Sequence, residues 1–289
     1  MIILTKLSRI IGVLAACMVL AGCSAIKLGY SNLPQLSYWW LDAYLEFTED
    51  QSPRVRDALA QLHLWHRQQE LPRFAQLLTQ AERLAGGDIA PQQACGLYDG
   101  LRQRLAAARA QAEPPMVAVA LTLTPQQLRH VAQRSERNNA EFRRDWLALS
   151  PEALRDKRFK QLADRAEMVY GTLEVPQREA LRQAVAQSVF DPRGMLAERQ
   201  RSQADLQRTL SAMQAPGLPA AEATRLMQGF LDRLQLSPDA AWNRHQQALL
   251  QEGCAMAAAV HNAATPAQRS NTVRRMRAYQ RDIADLAAP

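Results

Sequence analysis

Leu123-Thr124-Pro125-Gln126-Gln127-Leu128 is the stretch on which the reading of the fold turns. A Thr hydroxyl caps an orphan backbone amide, Pro sets φ at the first helical position, and Gln at the third reaches back to the capping residue. Behind it Leu128, Val131, Ser135, Asn139, Phe142 and Trp146 recur at helical spacing. The same start signal returns as Thr48-Glu49-Asp50-Gln51, Ser150-Pro151-Glu152, Ser237-Pro238-Asp239 and Thr265-Pro266-Ala267-Gln268, while Val175-Pro176-Gln177 keeps the Pro without the hydroxyl. Most are followed by an apolar stripe of period 3.6, such as Val273, Met276, Tyr279, Ile283 and Leu286 after Thr265.

Further helices are predicted at about 53–71, 73–85, 91–111, 176–190, 193–214 and 219–234. No alternating strand pattern of useful length appears. The run after Pro114-Pro115, MVAVALTL, reads as a short buried helix or an extended connector, since a lone strand would have no partner. Composition agrees: of 289 residues 47% are hydrophobic and 22% charged, aromatics are 6% and there are only 12 Gly. That argues against disorder and against a Gly-rich nucleotide-binding fold. The expected fold is all-α, an irregular multi-helix bundle of about ten amphipathic helices in one domain over residues 35–286. A second unit beginning near Thr124, with a sub-boundary in 112–124, stays open. The cap spacings vary, so a regular solenoid is not expected.

The first 22 residues stand apart. Lys6 and Arg9 precede an apolar run, Ile10 to Ala21, too short to span a bilayer of ~30 Å as a helix and suited to a secretory signal. The run ends in Leu20-Ala21-Gly22-Cys23, which resembles a bacterial lipobox. The resemblance implies cleavage after residue 22, lipidation of Cys23 and a short tether over 23–34. Ser24 is not the Asp of inner-membrane retention, which implies an outer-membrane address facing the periplasm. Multiple acyl chains make such an anchor nearly permanent. Loss of residues 1–22 removes two of the 35 Lys and Arg and none of the 28 Asp and Glu, leaving the chain basic. In that compartment nucleic acid is not a partner. The expected partners are the membrane, through the lipid, and envelope proteins or unfolded periplasmic clients.

Cys17 leaves with the signal and Cys23 carries lipid, so Cys95 and Cys254 remain in an oxidising space and are predicted to pair. A loop of that length is worth about 4–5 kcal/mol on the chain-entropy model.

Two motifs carry a family resemblance. Trp65-His66-Arg67-Gln68-Gln69-Glu70-Leu71-Pro72 resembles a W-H-R-x-x-E-L-P signature, and Glu167 to Leu173 an E-x-x-x-G-x-L signature, of an uncharacterised family of Gram-negative outer-membrane lipoproteins. Leu123-Thr124-Pro125-Gln126-Gln127 is also similar to the L-T-x-x-Q motif of small helical periplasmic chaperones, with near matches at Phe47 to Gln51 and Ala264 to Gln268.

Chemical candidates are few. His63, His66 and Glu70 share a helix face, but the pattern is not H-E-x-x-H, and a helix–helix seam with Arg67 and Glu70 in ion pairs is expected instead of a metal site. Catalytic motifs are absent, no cofactor is called for, and no catalytic residue is assigned. Around Tyr38-Trp39-Trp40, core packing by Leu36, Trp40, Ala43 and Phe47 is expected, with Trp39 or Tyr38 free to meet lipid. Arg274, Arg277 and Arg281 share one side of the last helix and form a candidate anion-binding face, with Arg269 on the other side. The expected function is a non-enzymatic, periplasm-facing interaction or chaperone-like module. The alternative is a peptidoglycan-acting enzyme with a carboxylate pair hidden in space.

Overall fold

Thr124, Ser150 and Thr265 each start a helix as their surroundings predict. Their hydroxyl oxygens accept from the amides of Gln127, Ala153 and Gln268, each at 3.2 Å. The computed structural model describes residues 27–288. The expected signal segment, residues 1–22, and the expected lipidation site Cys23 lie outside the described residues.

The described residues form eleven α-helices and no strand. In order they are α1 (Leu33–Leu45), α2 (Gln51–Trp65), α3 (Leu71–Ala85), α4 (Pro91–Ala120), α5 (Pro125–Phe142), α6 (Pro151–Tyr170), α7 (Val175–Gln187), α8 (Pro192–Ala212), α9 (Ala220–Gln235), α10 (Ala240–Asn262) and α11 (Pro266–Ala287). The protein is an all-α multi-helix bundle.

Four local expectations change. Pro72 does not break the chain into two helices: α2 runs into α3 through a π-helical turn, His66–Glu70, which absorbs the proline at the start of α3. Pro114 and Pro115 do not end α4 either. The carbonyls they orphan, of Ala110 and Gln111, belong to exposed residues where water is at hand. Beyond them Val117 and Ala120 are buried, and this core contact holds the helix together across the prolines. The cap of α10 is Asp239, accepting from Ala241 and Trp242, while Ser237 turns inward to Glu198 at 3.0 Å. At α7 the N-cap residue Glu174 makes no side-chain cap; only the return arm forms, Gln177 Oε1 accepting from the Glu174 amide at 3.1 Å.

Two apolar cores hold the bundle. One joins the end of α4 to α8 and α9 through Leu123, Leu210, Met213, Met227, Phe230 and Leu231. The other joins α6, α7 and α10 through Ala163, Leu173, Leu181 and Val260. Helix α11 lies along α3, α5 packs on α8, and α1 bridges α2 and α5. Long helix α4 touches α2, α3, α9 and α10, and so reaches both cores.

Candidate functional site

The bundle is pinned at two corners by paired glutamines. The capping glutamine of each box turns its amide inward. Gln127 Nε2 donates to Gln51 Oε1 at 2.7 Å and Gln51 Nε2 to Gln127 Oε1 at 3.2 Å. Gln127 also donates to the carbonyls of Leu45 and Glu46, and Gln51 to that of Thr122. In the other half Gln268 Nε2 donates to Gln177 Oε1 and to the Thr172 carbonyl, both at 2.9 Å. All four glutamines are buried. The L-T-x-x-Q stretch is thus half of a clasp that fixes the end of α1 over the start of α5.

Beside the first clasp lies an apolar cleft of about 550 Å³, bounded by α1, α2, α4, α5, α8 and α9. That size is ordinary for a small-molecule site. Its deep end is set by Leu123, Leu210, Met227 and Phe230. Trp40, Met116 and Leu234 also line it and keep exposed surface, Trp40 at 62% and Leu234 at 53%. Besides the Tyr44 hydroxyl of α1, its polar side chains come from two antiparallel helices, Ser135 and Asn138 on α5, Arg199 and Gln203 on α8. Register is fixed by the Asn139–Gln203 amide pair and by Gln207 donating to the Leu128 carbonyl, with the Arg199 guanidinium 5.9 Å from the Phe142 ring. Asn138 donates to the Tyr44 hydroxyl at 2.6 Å. No carboxylate lines the cleft. A bidentate Arg233–Asp205 pair, at 2.9 and 3.1 Å, ties α9 to α8, and Arg233 holds the Asp205 carboxyl below its usual range.

The W-H-R-x-x-E-L-P stretch forms the π-turn. Glu70 is 0% exposed, 2.5 Å from Arg73 and 3.5 Å from Arg104. Arg67, expected in an ion pair, makes none among the described residues. It donates instead to the carbonyls of Leu286 and Ala288, closing the end of α11. Tyr30 seats on both imidazoles: its hydroxyl is 2.9 Å from His66 Nδ1 and its ring 4.7 Å from that of His63. Burial pushes the Tyr30 hydroxyl up to about 12 and lowers both His63 and His66. Among the described residues no group of three or more His, Cys, Asp or Glu is placed to hold a metal ion.

Cys95 on α4 and Cys254 on α10 bring their sulfurs to disulfide distance, 2.03 Å, with Cα atoms 5.3 Å apart. The three C-terminal arginines are not equivalent. Arg277 is spent on Glu82 of α3 at 2.7 Å, which lowers the Glu82 carboxyl, and Arg274 bonds Asn271. Arg281 has no ion-pair partner among the described residues. Arg269, expected on the other side of the helix, lines the same hollow as Arg274 and Arg277 and pairs with Asp88 at 2.5 Å. Near the chain's start Tyr38 is buried under Arg56, 3.6 Å from its ring, while Leu36, Trp39 and Trp40 are exposed. The expected packing of Leu36 and Trp40 on the core is therefore not what the helix does.

Fold and cleft together define an all-helical protein with an open apolar cleft and no recognisable catalytic constellation along it. Residues 43–234 match the model of DUF6279, described as a family of unknown function, and the chain belongs to that family. The match takes in the π-turn, the first glutamine clasp and nearly the whole cleft lining. No curated protein and no solved structure matches the chain. Sequence reasoning missed the cleft because its lining is assembled from six helices. The only local hints were the apolar run after Pro115 and the aromatic cluster at residues 38–47.

Proposed function

We propose that this chain is a non-enzymatic outer-membrane lipoprotein, anchored through Cys23 and facing the periplasm, that serves as a helical binding module for apolar guests. One observation carries the reading: a cleft of about 550 Å³ whose lining is overwhelmingly apolar and includes no carboxylate. A glycan-cleaving enzyme works with two acids about 5–9.5 Å apart across the bond it breaks, and this cleft offers neither. Support for the address comes from the lipobox-like Leu20-Ala21-Gly22-Cys23. The L-T-x-x-Q resemblance enters here as architecture. Thr124 and Gln127 hold the last turn of α1 at the cleft and need not touch the guest themselves.

The test is photo-crosslinking in living cells. p-Benzoylphenylalanine replaces Met116 in the cleft lining, and separately Arg165 on exposed α6. The rim position is expected to trap an apolar guest and the α6 position to trap none. Ala58→Trp, which fills the cleft from α2, is expected to abolish the adduct while the protein stays in the outer-membrane fraction. Equal trapping at both positions, or trapping indifferent to Ala58→Trp, contradicts the reading.

A further inference from the structure

We infer that the cleft takes a single acyl chain bearing an anionic head group, with the head at Arg199 and the tail running toward Leu210, Met227 and Phe230. The inference rests on the proposed apolar-guest reading and names the guest's chemistry. Three observations carry it.

The first is the gradient of the lining. Along α8, Arg199, Gln203, Leu206 and Leu210 all face the cleft, so the wall passes from cationic to amide to apolar. Leu210 lies eleven positions beyond Arg199, about 16 Å along the helix axis. At C–C bonds of about 1.5 Å that is room for roughly a dozen carbons in extended form. The volume agrees, since an apolar cavity of about 150 Å³ already holds benzene.

The second is charge. Arg199 is half-buried, and among the described residues it has no carboxylate at ion-pair distance. Its guanidinium lies 5.9 Å from the Phe142 ring centre. Arg134 sits 5.4 Å over Tyr44, itself a lining residue, and its Nε is buried without a partner. Arg199 is the one cation on an otherwise greasy lining and Arg134 stands outside it, against the lining residue Tyr44; both lack an ion-pair partner among the described residues, and together they are complementary to a carboxylate or phosphate whose tail lies inside. An uncharged apolar peptide segment leaves both unanswered.

The third is position. Trp40 at the cleft belongs to α1, whose Leu33, Leu36 and Trp39 are also exposed. In the proposed lipid-anchored protein these side chains offer an acyl chain apolar surface beside the cleft.

The experiment uses the full lipid-anchored chain in phosphatidylcholine nanodiscs. Three probes carry a photoactivatable diazirine near the methyl end: palmitate, 1-palmitoyl-lysophosphatidylglycerol and hexadecanol. Palmitate or the lysolipid is expected to label the peptide holding Met227–Leu231 about tenfold more than hexadecanol, the scale of a charge-assisted hydrogen bond. Labelling by palmitate alone assigns a free fatty acid, and by the lysolipid alone a membrane lipid. Arg199→Gln is expected to bring the anionic probe down to the hexadecanol level, and Arg199→Lys to restore much of the difference. Equal labelling by all three, or labelling unchanged in Arg199→Gln, overturns the inference. If no probe labels the cleft while the Met116 position still traps a polypeptide in cells, this inference fails and the apolar-guest reading stands. If neither labels nor traps, both fail.

Discussion

Gln51 and Gln127 stand 76 residues apart in sequence and exchange amide hydrogen bonds in the interior, at 2.7 and 3.2 Å. Each amide oxygen also accepts from the amide of its own capping Thr, Thr48 at 3.1 Å and Thr124 at 2.9 Å. The local cap and the long-range contact are therefore one network, and a buried network of this kind is costly to leave half satisfied. Gln127→Ala is expected to cost about 1–3 kcal/mol, against about 0.5–2 kcal/mol for Thr124→Ala. Chemical denaturation of Gln51→Ala, Gln127→Ala and the double variant reads the coupling. Strict additivity would mean the amides do not depend on one another.

The buried carboxylate of the π-turn sets a second expectation. Glu70 is fully buried, with Arg73 and Arg104 at its oxygens. Glu70→Ala removes the buried partner of two partly solvated cations, and is expected to destabilise by about 1–3 kcal/mol, less than breaking a fully buried pair. Glu70→Gln keeps the shape and is expected to cost less. Equal stability of Glu70→Ala and the unsubstituted protein in urea titration would remove any structural role for the W-H-R-x-x-E-L-P stretch.

The Cys95–Cys254 pair closes a loop of 159 residues between α4 and α10. Reduction, or Cys95→Ser with Cys254→Ser, is expected to lower stability by about 4–5 kcal/mol on the chain-entropy model. Mass measurement with and without reductant is expected to differ by two hydrogens. Two free thiols in protein taken from the envelope would contradict the pairing.

Acid is expected to weaken the fold near neutrality. Burial holds His63 and His66 below the ordinary 6.5, so the unfolded chain takes up protons that the folded chain refuses. Their contribution is full above about pH 6.5, falls as pH drops through that value, and stops changing below the folded pKa values. Glu82, held low chiefly by its hydrogen bond from Arg277, begins to lose its contribution only as pH falls through the ordinary 4.5. Thermal midpoints from pH 8 to pH 5 are expected to decline in the unsubstituted protein and to flatten in His63→Gln with His66→Gln. An identical slope in the two proteins would place the pH dependence elsewhere.

Much of the fold was legible because its determinants are local. A hydroxyl, a proline and a glutamine within four positions specify where α5 and α11 begin, and an apolar stripe specifies which face turns inward. What escaped was decided by tertiary contact. Nothing near Pro114 and Pro115 announces that Val117 and Ala120 will be buried deeply enough to carry α4 past them. Glu174 makes no cap at the start of α7, and Gln177 is held instead by Gln268 across the bundle. Arg277 looks free on a helical wheel, and only the packing of α11 along α3 brings it to Glu82. The cleft is the extreme case, since its volume is a remainder left between six helices and no single one of them encodes it.

The most direct test of the central claim is native mass spectrometry of the lipid-anchored protein released from envelope vesicles. A one-to-one adduct with the mass of an acyl-chain amphiphile is expected, absent when Ala58→Trp fills the cleft and weakened in Arg199→Gln. Spectra without an adduct in the unsubstituted protein, or with the same adduct in the Ala58→Trp variant, would contradict it.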